Sequence, residues 1–98
     1  MITNYMIIGY GWRADFYYRI AKLLPERFSV CAGVLRTEER AKEVAHKEGV
    51  FATSDLDQAL ERKPDFAVLC VPRDVTKDYL VKLMKKGIPV LCETPPGC

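Results

Sequence analysis

Short apolar runs alternate with amphipathic stretches along the whole chain. Tyr5-Met6-Ile7-Ile8 is a continuous apolar run closed by Gly9, the pattern of a strand buried on both faces. Over residues 14–24 the apolar Phe16, Ile20, Leu23 and Leu24 recur at helical spacing, and Pro25 stops that helix. Residues 28–35, rich in small and β-branched side chains, predict a second strand. Thr37 stands as an N-cap with Glu38 and Glu39 in the first turn, where acidic groups favour the helix dipole. Ala41, Val44 and Ala45 form the buried stripe of that helix, and Gly49 is placed as its left-handed cap. Val50-Phe51 has room only for a short strand. Ser54 to Asp57 reads S-x-x-D, a capping signature for a short helix that Pro64 ends. Residues 66–71 are the third strong strand, closed by Pro72. Asp74 is expected to cap the next helix, with Val75, Tyr79, Leu80, Leu83 and Met84 on one face and Gly87 at its end. Residues 89–92 make the last strand, and Pro95-Pro96-Gly97 prevents regular continuation.

The order is β-α-β-α-β-α-β-α-β. It predicts an α/β fold of three layers, a doubly wound parallel sheet reached by right-handed crossovers and covered by helices. Alternation alone leaves two strand orders open, the Rossmann one and its flavodoxin-like relative. The decisive local feature is Gly9-Tyr10-Gly11-Trp12-Arg13-Ala14, a G-x-G-x-x-A turn that follows the first strand and opens the first helix. Gly9 permits the tight turn, Gly11 lets the backbone approach a pyrophosphate, and Ala14 lets helix and strand pack closely. The helix start then offers free N–H groups and partial positive charge to the phosphates. The whole chain, 1–98, is therefore expected to be one Rossmann-type dinucleotide-binding domain. Gly9, Tyr10, Gly11, Trp12 and Arg13 are its pyrophosphate-side candidates.

The end of the second strand bears on the cofactor. A carboxylate there accepts from the adenosine ribose hydroxyls, whereas an arginine accommodates a 2′-phosphate. This chain has Leu35-Arg36-Thr37 and no carboxylate until Glu38. Arg36 therefore points to NADP(H) as the preferred cofactor, with NAD(H) as the alternative.

Composition narrows the partners. A chain of 98 residues has room for one domain, and 49% hydrophobic residues suffice for its core. The net charge of +2, with no basic block, gives no support to nucleic-acid binding. No segment approaches the ~18 to 20 apolar residues of a membrane span, and the N-terminus lacks the pattern of a signal peptide. A cytoplasmic protein is the expectation. The four cysteines, Cys31, Cys70, Cys92 and Cys98, form no CxxC pair and no metal-ligand spacing with His46. No metal is expected. Three of the cysteines lie in apolar strand-like runs and read as small buried hydrophobes.

With these residues in place, the chain resembles the N-terminal domain of the glucose–fructose oxidoreductase and inositol dehydrogenase family (Gfo/Idh/MocA). The marks are the glycine turn, Glu39-Arg40-Ala41 after the second strand, Pro64-Asp65 before a strand ending Val71-Pro72, and the block Lys86-Gly87-Ile88-Pro89-Val90-Leu91-Cys92-Glu93. The family's Glu-Lys-Pro motif reads Glu93-Thr94-Pro95 here. The resemblance implies a nicotinamide-dependent oxidoreductase acting on a sugar, polyol or related hydroxy compound. It places Val71, Pro72, Glu93 and Thr94 beside the nicotinamide half. It also implies a second domain carrying most of the substrate site and a subunit interface, so that this chain would be a truncated piece of a longer, homo-oligomeric protein. Thr94 stands where the family's lysine helps move the hydroxyl proton, and a threonine hydroxyl cannot replace an ammonium as acid or electrostatic stabiliser. Arg73 and Thr76 replace the asparagine and histidine that the family often carries. The catalytic residues are thus left unassigned, and a non-catalytic nucleotide-binding or sensor module is the alternative. A related CoA-binding fold shares the glycine turn.

Overall fold

The computed structural model describes residues 2–71 and 73–92, without the side chains of 73 and 74. Five strands and four helices alternate: β1 (Thr3–Gly9), α1 (Trp12–Leu23), β2 (Phe28–Val34), α2 (Glu38–Glu48), β3 (Ala52–Thr53), α3 (Leu56–Leu60), β4 (Phe66–Cys70), α4 (Arg73–Lys85) and β5 (Val90–Cys92). All strands are parallel, in the order β3-β2-β1-β4-β5. That is the Rossmann order and not the flavodoxin-like one. The alternative left open by the alternating pattern is closed.

β1 is central because both its faces are apolar. Tyr5, Met6, Ile7 and Ile8 are each at most 1% exposed. Tyr5 and Ile7 join Ala14, Tyr18, Ala41 and Val44 in the layer under α1 and α2. Met6 and Ile8 join Leu56, Ala59 and Leu83 in the layer under α3 and α4. Near the start of the sheet, Tyr5 stacks on Phe66 with ring centroids 5.2 Å apart, and its hydroxyl donates to the Tyr17 carbonyl.

β2 carries an irregularity with a large effect on packing. Tyr5 pairs with Val30 but Met6 pairs with Ala32, so Cys31 is an extra residue. The bulge reverses the alternation. Phe28 and Val30 face the α1–α2 layer, whereas Ala32 and Val34 face the α3–α4 layer. Gly33 thereby comes to lie beneath Tyr18.

Several local expectations need correction. The stripe predicted for α1 is the wrong face: Phe16 is 52% and Leu23 78% exposed, and Leu24 is exposed too. Ala14 and Tyr18 are buried instead, with Tyr17 and Ala21 partly so. A small residue is needed where the helix nears the sheet, and tyrosine fills the space over Gly33. The third strand is displaced from Val50-Phe51 to Ala52–Thr53, which pair with Gly33 and Val34. Phe51 is left at the surface under the Arg62 guanidinium. The cap of α3 is Asp55, which accepts from the Asp57 N–H at 2.9 Å, because the Ser54 hydroxyl donates to Glu38. α3 ends at Leu60, four residues before Pro64, and the chain turns through Lys63 at φ 55°. α4 begins at Arg73, which puts Asp74 inside its first turn and not at the cap. Leu83 of α4 is buried but Met84 is 72% exposed. Cys70 is buried and Cys31 half-buried, whereas Cys92 is exposed on the short edge strand β5.

The α2 ends form as expected. The Thr37 side chain accepts from the Arg40 N–H at 3.2 Å, and Gly49 takes the left-handed conformation at φ 69°. Thr37→Ala removes the acceptor and is expected to cost about 1 kcal/mol, measured by urea unfolding. Thr37→Ser is expected to retain most of it.

Candidate functional site

The strand order changes direction between β1 and β4, and it is there that α/β sheets hold ligands beyond the carboxyl ends of their strands. A cleft of about 430 Å³ lies at this place. Gly9 and Tyr10 at the end of β1, Val34 to Thr37 at the end of β2, and Cys70 and Val71 at the end of β4 line it, with Arg40 of α2 and Val75 and Tyr79 of α4.

Gly9 and Gly11 have different tasks. Gly9 has φ +99°, and a Cβ there would sit 2.3 Å from the Cys70 carbonyl oxygen and 2.8 Å from Val71 Cγ1. It is what lets the ends of β1 and β4 touch. Gly11 has φ +135° and nothing within 4 Å of a Cβ position. That side is open among the described residues, and no side-chain hydrogen bond caps α1 at this residue. The first N–H groups of a helix have no partner within it. Such a start, with its partial positive charge, suits a phosphate. Ala14 is fully buried, as the close approach of helix and strand requires.

The other turn residues divide. Tyr10 lines the cleft, but its hydroxyl donates to Glu48 Oε2 at 2.8 Å. Glu48 Oε1 accepts from Lys22 Nζ at 2.7 Å, and Lys47 Nζ lies 5.5 Å from the Tyr10 ring centroid. Burial pushes the Glu48 carboxyl up, but hydrogen bonds from Lys22 and Tyr10 outweigh it and hold the group below the usual carboxylate range. Trp12 is 63% exposed, and the Arg13 guanidinium stacks over its ring at 4.4 Å. Arg13 Nε is buried without a hydrogen-bond partner among the described residues. Gly11, Trp12 and Arg13 are outside the cleft lining, at the helix start beside it.

Arg36, exposed, and Val71, half-buried, both line the cleft. Pro72, Glu93 and Thr94 lie outside the described residues. Arg40 was read from the sequence only as part of a family mark and not as a site residue, although its place in the first turn of a helix capped by Thr37 carries it to the same cleft. Among the described lining residues there are two arginines and no carboxylate. Glu38, the first acid after β2, is engaged elsewhere: it accepts from the Ser54 N–H at 3.1 Å and from the Ser54 hydroxyl, which lowers its carboxyl. Among the described residues no group of His, Cys, Asp and Glu could hold a metal ion, and no helix is long and apolar enough to cross a membrane.

The fold recurs in known proteins. No curated protein matches the chain. Among solved structures, GenD2 from gentamicin A biosynthesis in complex with NAD superposes with a TM-score of 0.82 at 23% identity, over 95% of this chain and 27% of that one. The WlbA dehydrogenase of Chromobacterium violaceum, in complex with NADH and UDP-GlcNAcA, gives a TM-score of 0.82 at 16% identity, over 95% and 27%. An oxidoreductase from Thermotoga maritima gives 0.81 at 26% identity, over 97% of this chain and 30% of that one. The chain thus spans under a third of each of these structures. Residues 3–97 match the family described as "Oxidoreductase family, NAD-binding Rossmann fold". By that match and this fold, the chain belongs to the Gfo/Idh/MocA oxidoreductase family and is its NAD-binding Rossmann domain.

Proposed function

We propose that the chain is the cofactor-binding part of an oxidoreductase acting on a sugar, polyol or related hydroxy compound, and that it prefers NADP(H) to NAD(H). The observation that carries the preference is the cleft wall after β2, with Arg36 and Arg40 present, no carboxylate, and Glu38 bound to Ser54. An arginine pair suits a 2′-phosphate, and a ribose hydroxyl finds no anionic acceptor there. The open side of Gly11 and the unpartnered Arg13 Nε fit the pyrophosphate. When bound, the nicotinamide supplies the hydride chemistry, and the chain's residues bind and orient it. Val71, Pro72, Glu93 and Thr94 are assigned to the nicotinamide half. The substrate site and a homo-oligomer interface are assigned to a further domain. The working place is taken to be the cytoplasm, in keeping with Cys31 and Cys92, which form no disulfide among the described residues.

Titration of the chain with NADPH and NADH, followed by nucleotide fluorescence, tests the preference. NADPH is expected to bind at least 10-fold more tightly, and Arg36→Ala to remove about 10-fold of NADPH affinity while sparing NADH, the size of one charge-assisted contact. Equal affinities, or an Arg36→Ala protein that still binds NADPH as well, would overturn it. Thr94 at the family's lysine position favours a second reading, a nucleotide-binding module without turnover. Oxidation of any sugar or polyol by the full-length protein would sink that one.

A further inference from the structure

Glu48 occupies a place that helix stability alone does not favour. It is the last residue of α2, where a negative charge opposes the helix dipole, and its side chain is only 3% exposed. Burying a carboxylate is costly unless it is paired and hydrogen-bonded. Both oxygens are in fact used, one by Lys22 Nζ at 2.7 Å and the other by the Tyr10 hydroxyl at 2.8 Å. Tyr10 stands between Gly9 and Gly11, so it carries the only side chain at the heart of the turn. Its ring is further held beside Tyr18, with centroids 6.0 Å apart, and beneath Lys47. A turn flanked by two glycines has much backbone freedom to lose.

We propose that Glu48 is a positioning residue for the glycine turn, acting through the Tyr10 hydroxyl to hold the backbone N–H groups of residues 11–13 for a dinucleotide pyrophosphate. The ligand in this statement rests on the dinucleotide-binding reading above, whereas the clamp itself does not. Lys22 keeps the carboxylate charged and aimed, so α1, α2 and the turn are tied at one point 26 residues from Lys22 and 38 from Tyr10 along the chain. Fixing the turn before the ligand arrives lowers the ordering cost of binding.

The test combines amide hydrogen exchange of the unliganded chain with titrations of NADH and NADPH. Tyr10→Phe keeps the ring and removes one hydroxyl. It is expected to speed exchange at Asp15, whose N–H donates to the Gly11 carbonyl oxygen at 2.9 Å, about 10-fold, the worth of one hydrogen bond to a charged acceptor, and to weaken dinucleotide binding by a similar factor. Amides of β1 and β4 are expected to keep their protection. Glu48→Gln keeps a single acceptor oxygen, which cannot serve both Lys22 and Tyr10, and is expected to fall between the parent and Tyr10→Phe on the same scale. Glu48→Leu removes the acceptor and should repeat the Tyr10→Phe result from the other side of the bond. Unchanged exchange at Asp15 in both Tyr10→Phe and Glu48→Leu would overturn the clamp. So would a loss of protection spread evenly over the sheet, the mark of a merely structural role. A parent chain that binds neither NADH nor NADPH would defeat the dinucleotide reading, and the exchange rates would still decide the clamp.

Discussion

Gly9→Ala is expected to cost about 3–5 kcal/mol, the combined size of left-handed strain and overpacking. The added methyl would meet backbone first, the Cys70 carbonyl oxygen at 2.3 Å and its carbon at 2.8 Å, so moving the Val71 side chain would not relieve it. Cys70 is itself fixed, because β4 pairs with β1 on one side and β5 on the other. The only relief is to part the ends of β1 and β4, where the cleft lies. A small domain has about 5–15 kcal/mol in hand, so a thermal midpoint lower by roughly 15 °C or more is the expected reading. Gly11→Ala is the control. Its φ of 135° with ψ −173° is also a glycine conformation, but a methyl there enters open space, so the cost should be the conformational strain alone, about 1–3 kcal/mol. Equal losses at the two positions would show that strain, and not the contact with β4, governs Gly9.

Gly33→Ala is the second large effect, with a different cause. Gly33 lies in β2 without a positive φ, and its problem is the Tyr18 hydroxyl, 2.5 Å from a Cβ position. Tyr18 is 1% exposed, so it has nowhere to swing. Overpacking of this kind is expected to cost about 1–3 kcal/mol. The Tyr18 oxygen is also buried without a hydrogen-bond partner among the described residues. Deleting an unsatisfied buried hydroxyl is neutral or favourable, so Tyr18→Phe alone should leave stability unchanged or raise it. In the double variant the phenyl edge vacates the space that the alanine methyl needs. Chemical denaturation of the four proteins forms a double-mutant cycle, and a coupling of about 1–2 kcal/mol is expected. Additive effects would mean that Tyr18 does not set the limit at Gly33.

What was legible in the chain was what a few adjacent residues decide. The glycine turn, the Thr37 cap and the Gly49 end of α2 are local, and each takes the predicted conformation. The strand order needed the structure, since alternation of strand and helix is the same in both doubly wound topologies. α1 was misjudged because hydropathy ranks Phe and Leu above Ala and Tyr, whereas contact with a sheet first requires small side chains and then shape. The S-x-x-D signature failed for a nonlocal reason: Ser54 is drawn to Glu38, 16 residues earlier. The same holds for the cleft. Arg36 was visible because it follows a strand, but Arg40 and the Lys22–Glu48–Tyr10 network depend on elements that meet only when folded.

Cys31 divides β2 into two stretches that can evolve on separate terms. Before it, Phe28 and Val30 answer to the α1–α2 layer. After it, the opposite parity aims Ala32 and Val34 at the α3–α4 layer and delivers Leu35 and Arg36 to the cleft mouth. A strand in strict register would couple these demands, because a one-residue slip moves every side chain to the other face. With the slip already built in, drift at the start of β2 leaves the phase of its ligand-facing end untouched. On the cofactor preference proposed above, selectivity could then be retuned at Arg36 without redesigning the interior that supports it.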